Sequence, residues 1–563
     1  MRTRPSSSLS SLAIPGLLSI VLAGCVGPLA SPSSPATPAS ETDSLSESEA
    51  ERERNAWFKA GREQVARSAR FVANETPARN VILFIGDGMG IATVTAAGIL
   101  EGQRRGELGE GNRLSFEELP FVAFSKTYNT DAQVSDSAST MTAMVTGVKT
   151  RTGVLGVDER IRRSDHTSVE ATRVPTILEQ AEARGLATGV VSTTTITHAT
   201  PAACYAHAPF RFWEDDSRMS SEAREDGFPD IARQLVEFGV GDGLEVALGG
   251  GRSHFKPRGE ADPEDPQRPG GRLDARDLTR EWVEARDGAA YVWNREQLAT
   301  LDLATTRHLL GLFEPGDMNW ETDRAEDEAG EPSLAEMTAL AIDLLSRDED
   351  GFFLMVEGGR IDHGHHAGNA ERALTDTIAF SDAVRVALEK TDANDTLIVV
   401  TADHSHTLTI SGYPKRGNAI LGTVVGVNWF GDGSDEIALD ALGKPYTTLG
   451  YANGPGYTGA SGDQPEGPHS FRHRPCRQSP PMSCSYEGIE AGRPDLAGVD
   501  TESPAYLQEA TVPMGSETHA GEDVPIYAGG PRAALFHGVR EQNYIYHAMV
   551  EALGWTRGGV PVD

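Results

Sequence analysis

Residues 81 to 90 read Val-Ile-Leu-Phe-Ile-Gly-Asp-Gly-Met-Gly. Five apolar residues in a row, with no polar alternation, describe a strand covered on both faces. Gly-Asp-Gly then ends the run and leaves a carboxylate at the strand's carboxyl end. Similar short runs recur at Leu186 to Val191, Phe352 to Val356 and Leu397 to Thr401. Helical patterns lie between them, at Val174 to Arg184, Ser333 to Ser346 and Ala370 to Lys390. Apolar strands separated by helices predict an α/β fold, with a mainly parallel central sheet flanked by helices on both faces. No internal repeat interrupts this order. From about 413 to 515, Gly, Pro and polar residues dominate, which reads as a loop-rich insertion.

Three of these strands run into acids: the first into Asp87, the third into Glu357, the fourth into Asp403-His404. Ligands of open α/β sheets bind at the carboxyl ends of the strands, where loops converge. Carboxylates gathered there repel one another unless a cation neutralises them. In Val-Glu-Gly-Gly-Arg-Ile-Asp-His-Gly-His-His (356 to 366), Asp362 and His366 are four apart and share one face of a helix. Asp403-His404 and a later His519 add further ligand types. Mixed carboxylate and imidazole suits zinc, and Glu357 with other oxygens suits magnesium. Ser137 begins a helical pattern after Asp136. There it is either an N-cap or a nucleophile placed where helix amides attract phosphate.

Six motifs occur in order: GDGMG (86–90), DSA (136–138), HATPA (198–202), VEGGRIDHGHH (356–366), TADHSH (401–406) and ETHAGEDV (517–524). With WNREQL, LLGLFEPGDM and LFHGVREQNYI, they make the chain resemble the alkaline phosphatases, the animal type most closely. The resemblance implies hydrolysis of phosphate monoesters through a phosphoserine on Ser137, with Arg211 gripping phosphate. It implies a first zinc on Asp362, His366 and His519, and a second on Asp403 and His404. Asp87 bridges the second zinc to magnesium, which Thr200 and Glu357 complete. His198 and His363 match histidines near magnesium and phosphate, while His365 and His406 are expected to be structural. A peripheral calcium would use Glu264, the Phe313 carbonyl, Glu314 and Glu331, although the family usually has Asp at the last position. The family also implies a homodimer, with the 413–515 insertion as its crown and the helix around Trp57 to Arg70 contributing.

The alternatives differ at the nucleophile. A sulfatase of the superfamily would carry Cys- or Ser-x-Pro-x-Arg, whereas Ser137 precedes Ala-Ser-Thr-Met. A phosphodiesterase would use Thr and lack the Arg211 equivalent. A non-catalytic phosphate- or metal-binding surface protein needs no complete set of ligands. The net charge of −33 argues against a nucleic-acid-binding surface. Arg2, Arg4, an apolar run from Leu12 and Leu-Ala-Gly-Cys at 22 to 25 resemble the signal of a bacterial lipoprotein. The expected organisation is therefore a signal peptide (1–24), a Ser/Pro-rich tether (25–50) and a catalytic domain (51–563). The protein would be exported and anchored by lipid on Cys25 to a bacterial membrane, facing the periplasm or the cell surface. Export also makes a disulfide between Cys476 and Cys484 plausible.

Overall fold

The computed structural model describes residues 51–427, 436–440, 443–457 and 493–555. The expected signal peptide and tether (1–50), with the expected lipid site at Cys25, and the expected Cys476–Cys484 pair lie outside the described residues. The first run forms β1 (Asn80–Gly86), all of it buried. It is followed by β2 (Phe121–Lys126), β3 (Ala187–Thr195), β4 (Val246–Gly250), β5 (Ala289–Val292), β6 (His308–Leu312), β7 (Phe352–Gly358) and β8 (Thr396–Ala402). With Val524–Gly529 and Gly538–Glu541 they make a ten-stranded sheet. Its order is Gly538–Glu541, β2, Val524–Gly529, β8, β1, β7, β3, β4, β6, β5. Only Val524–Gly529 runs against the rest.

The two-residue period of β1 divides its side chains between two cores. Val81, Leu83 and Ile85 join one face of the sheet, while Ile82 and Phe84 join the other. On the second face the helix Ala370–Lys390, capped by the Asn369 side chain, presents Phe380 edge-on to Phe84, ring centroids 5.8 Å apart. Truncating Phe84 to Ala there would cost about 3–5 kcal/mol. The opposite core holds the helix Ser137–Thr146 through Met141, Met144 and Val145, together with Ile545 and Met549 of the last helix, Tyr544–Ala552.

β3 extends four residues beyond the expected Val191. Its pairing with β4 becomes irregular between Val191 and Thr195. That irregularity aims Ser192 and Thr194 at Glu357, to which both donate hydrogen bonds. Of the 413–515 insertion, the described parts supply Leu449–Gly454 and Ala510–Pro513, which join Leu408–Ile410 in a small sheet.

The segment up to Val72 forms a separate unit. Within it the helix Ala56–Ser68 is capped by Asn55 and buries no residue, leaving Trp57 73% and Val65 70% exposed. Among the described residues, no helix is long and apolar enough to cross a membrane.

Candidate active site

Three acids meet where β1, β7 and β8 end side by side. Ile85 pairs with Glu357 on one neighbour and with Thr401 on the other, so Asp87 and Asp403 leave the sheet next to Glu357. All three are completely buried. Both oxygens of Asp87 lack a hydrogen-bond partner among the described residues. Burial, and then the charges of Asp403, Asp362 and Glu357, push its carboxyl well above the usual range. Burial likewise pushes Glu357 up to about 7 despite the hydroxyl of Ser192. Asp403 is better provided for, because its Oδ1 accepts the backbone N–H groups of Gly88 at 2.9 Å and His404 at 2.8 Å.

A second group forms around the helix Arg360–His366, which follows β7 directly. The expected i, i+4 pair meets, with His366 Nε2 3.4 Å from Asp362 Oδ2. His519 Nε2 lies 3.4 Å from Asp362 Oδ1 and 3.1 Å from His366 Nε2. Between neutral rings that last contact is not a hydrogen bond. His366 Nδ1 is 2.6 Å from the Glu517 carbonyl and His519 Nδ1 is 2.8 Å from the Ser135 carbonyl. In the neutral rings each Nδ1 therefore carries the proton, which leaves a lone pair on each Nε2. Two lone pairs and a carboxylate converge on one point. This is the arrangement in which the second nitrogen of a metal-ligating histidine is tied to a carbonyl.

His406 stands behind this group, with Nε2 2.6 Å from Asp362 Oδ1 and Nδ1 2.5 Å from Glu517 Oε2. Burial draws its pKa down, but Glu517 and Asp362 outweigh that and hold it at about 10. His365 spends its nitrogens on Thr93 (2.9 Å) and Tyr451 (2.8 Å). Ligand atoms within 4.8 Å of one another also occur in Asp87, Asp362 and His404, and in Asp87, His198 and Glu357. Thr200, buried in the short helix Ala199–Ala202, lies against Glu357.

Ser137 is the first residue of its helix, and its hydroxyl lies 3.3 Å from His404 Nε2. The capping residue is Asp136, whose carboxylate accepts from Ser139. Asp136 also receives Gly153 N–H at 3.0 Å and Arg211 Nη1 at 3.2 Å. Arg211 Nη2 is 2.9 Å from His198 Nε2. Its fork is therefore held at two points beside the helix N-terminus, where phosphate is favoured. Asp136, Glu517, Asp317 and Arg360 are contributors that motif spacing leaves unassigned. Only Asp136 had a local signal, as a capping acid before a helical run.

Among the described residues a further acidic group lies outside this centre. There Glu264, Glu314 and Asp327 offer oxygens within 4.8 Å of one another. Phe313 ends the run from β6 just before Glu314. Burial and then Glu264, Glu331 and Asp327 push Glu314 up to about 9. Glu331 is engaged elsewhere, accepting Asn319 N–H at 3.1 and 3.2 Å. Asp327, not expected from the sequence, takes a place in the group.

The alkaline phosphatase family profile matches residues 78–555. The tissue-nonspecific alkaline phosphatase of Gallus gallus is 43% identical over 511 residues, 90% of each chain. An alkaline phosphatase of Gadus morhua is 43% identical over 484 residues, covering 85% of this chain and 92% of its own. Among solved structures, the Thermus thermophilus alkaline phosphatase superposes with a TM-score of 0.58 at 25% identity, over 86% of this chain and 92% of that one. The chain belongs to the alkaline phosphatase family and is a hydrolase of phosphate monoesters.

Proposed function

We propose that the hydrolysis proceeds through a covalent phosphoserine on Ser137, with two zinc ions and one magnesium ion as cofactors. The observation that carries the metal reading is the pair of facing Nε2 lone pairs on His366 and His519 beside Asp362. The first zinc would take those three residues, and the second Asp403 and His404, with Asp87 shared with magnesium. Glu357 and Thr200 offer only oxygen, which suits magnesium. When bound, such cations neutralise developing charge on phosphoryl, attacking and leaving oxygens, and lower the pKa of the water used in the second displacement.

The chain's own groups do the rest. Ser137 Oγ forms a bond to phosphorus as the ester P–O bond breaks and the alcohol departs with a proton. Water then attacks phosphorus, the Ser137 O–P bond breaks, and inorganic phosphate leaves. Arg211, fixed by Asp136 and His198, holds two phosphoryl oxygens with its planar fork. The helix amides behind Ser137 add partial positive charge to the same place. His198 and His363 line the phosphate side. Ser137→Ala should abolish the phosphoenzyme trapped by acid quenching. An undiminished burst of alcohol release from that variant would overturn the assignment.

Calcium is proposed for the peripheral acidic group, supported by its oxygen-only donors. A homodimer accords with the exposed Trp57 and Val65 of the N-terminal helix, and a monomer by light scattering would contradict it. Export with a lipid on Cys25 rests on the Leu-Ala-Gly-Cys signal. It fails if Cys25→Ala still partitions with membranes.

A further inference from the structure

The helix Arg360–His366 carries two imidazoles outside the zinc ligand sets: His365, whose nitrogens go to Thr93 and Tyr451, and His363. Arg360 Nη1 lies 2.7 Å from His363 Nδ1. A guanidinium has donors only, so Nδ1 must offer its lone pair and the ring's proton must be on Nε2. Arg360 is itself held from several sides. Its guanidinium carbon lies 3.8 Å from the centroid of the Trp320 ring, and its Nη1 is 3.5 Å from Asp317 Oδ2. Its backbone N–H donates to Thr193 Oγ1 at 3.1 Å. Asp317 is anchored in turn by the Thr195 N–H, 3.0 Å from its Oδ1.

The other side of His363 faces the phosphate-binding residues. Its ring meets that of His198 edge-on, with centroids 5.7 Å apart. His198 Nε2 accepts from Arg211 by the same reasoning, because Arg211 can only donate. Two arginines thus impose tautomers on two facing histidines. His363 is left with an N–H on the ring nitrogen away from Arg360, with no hydrogen-bond partner among the described residues.

We propose that Arg360 is a positioning residue for phosphate: held by Asp317 and Trp320, it fixes His363 as an Nε2–H donor to a phosphoryl oxygen, directly or through one water. Asp317 acts one step further back by orienting Arg360. The inference rests on the placement of His363 beside phosphate given above. It adds the cause of that donor's tautomer and direction, which a bare histidine in solution lacks.

A double-mutant cycle tests it on the full metal-loaded protein, with affinity for inorganic phosphate measured by calorimetry and kcat and KM measured separately. His363→Ala and Arg360→Met should each weaken phosphate binding by about tenfold, the worth of one hydrogen bond to an anion. The double variant should be no weaker than His363→Ala alone. Arg360→Lys, also a donor only, should restore most of the affinity. If the two losses multiply, or Lys restores nothing, Arg360 does not act through His363 and the inference fails alone. If His363→Ala leaves phosphate affinity unchanged, the placement of His363 fails and the inference with it. Should Arg360→Met not fold, Asp317→Asn completes the same cycle, since its side-chain oxygen still accepts from Thr195. It should weaken binding in the His363 background and leave the His363→Ala background unchanged.

Discussion

Two buried polar regions of this protein solve the problem of charge in opposite ways. Around residues 214 to 274 the chain supplies both signs. Arg252, fully buried, grips Asp262 through two hydrogen bonds of 2.6 and 2.8 Å and Glu264 through one of 2.7 Å. Arg272, also fully buried, does the same with Asp230 and reaches Asp274. His254 lies between Asp215 at 2.6 Å and Glu214 at 3.2 Å. At the ends of β1, β7 and β8, in contrast, Asp87, Glu357 and Asp403 gather with no lysine or arginine in an ion pair with them among the described residues. A buried acid is tolerated where the fold brings its own cation. Where it does not, the cation has to come from outside.

Removing that outside cation is the largest test of the contrast. Exhaustive chelation should abolish monoester hydrolysis. It should also lower stability by about 4 kcal/mol or more, the linkage expected of a site filled at a thousand times its dissociation constant. For a chain of this size that corresponds to a fall of roughly 4 °C in the thermal midpoint. Readdition of zinc and magnesium should restore both. A chelated protein that melts unchanged would mean that the strand-end acids satisfy one another without metal.

The difference between the regions also explains what was legible in the sequence. The strand-end acids were readable because each follows an apolar run directly, so local pattern alone put Asp87, Glu357 and Asp403 at one edge of one sheet. Asp362 and His366 were readable from helical spacing. The contacts that orient the ligands were not. Glu517 holds His406 across 111 positions, and the Glu517 carbonyl fixes His366 across 151. Such partners are set by how distant loops pack, and no period in the sequence carries them. The irregular end of β3 belongs to the same class: a run of serine and threonine gives no sign that two of its hydroxyls turn to Glu357. Arg360 was adjacent to the ligands, yet only the approach of Asp317 and Trp320 gives it a direction.

The self-paired region can be broken with pH. Burial pulls the His254 imidazole down, but Glu214 and Asp215 outweigh it and raise the group from 6.5 to about 9. Because the folded value lies above the unfolded one, the stabilisation is complete below about pH 6.5 and is lost as pH rises through about 9. Its size is about 3 kcal/mol at 1.36 kcal/mol per pKa unit. Urea unfolding of the metal-loaded protein at pH 6 and pH 9.5 should therefore show a steeper loss for the wild type than for His254→Gln. Equal losses would show that His254 is not held charged by the two acids.

The peripheral acidic group stands between these extremes and gives the smallest expected effect. Arg252 takes one oxygen of Glu264, and the Asn319 amide takes both of Glu331. Glu314 and Asp327 then carry most of the unneutralised charge, and Asp327 Oδ2 is buried without a hydrogen-bond partner among the described residues. Asp327, four positions before Glu331, is the acid whose oxygen lies close to those of Glu264 and Glu314. Asp327→Asn should weaken calcium binding by about tenfold, or about 1.4 kcal/mol, in a titration of the chelated protein, with little change in monoester turnover. Glu331→Gln should change it by less than about threefold, since a neutral amide oxygen can still accept the Asn319 N–H. The reverse ranking would place the carboxylate of Glu331 on the ion and make Asp327 a bystander. Either ranking separates an acid that the chain has already satisfied from one that still needs a cation, which is the distinction between the two larger regions on the scale of a single residue.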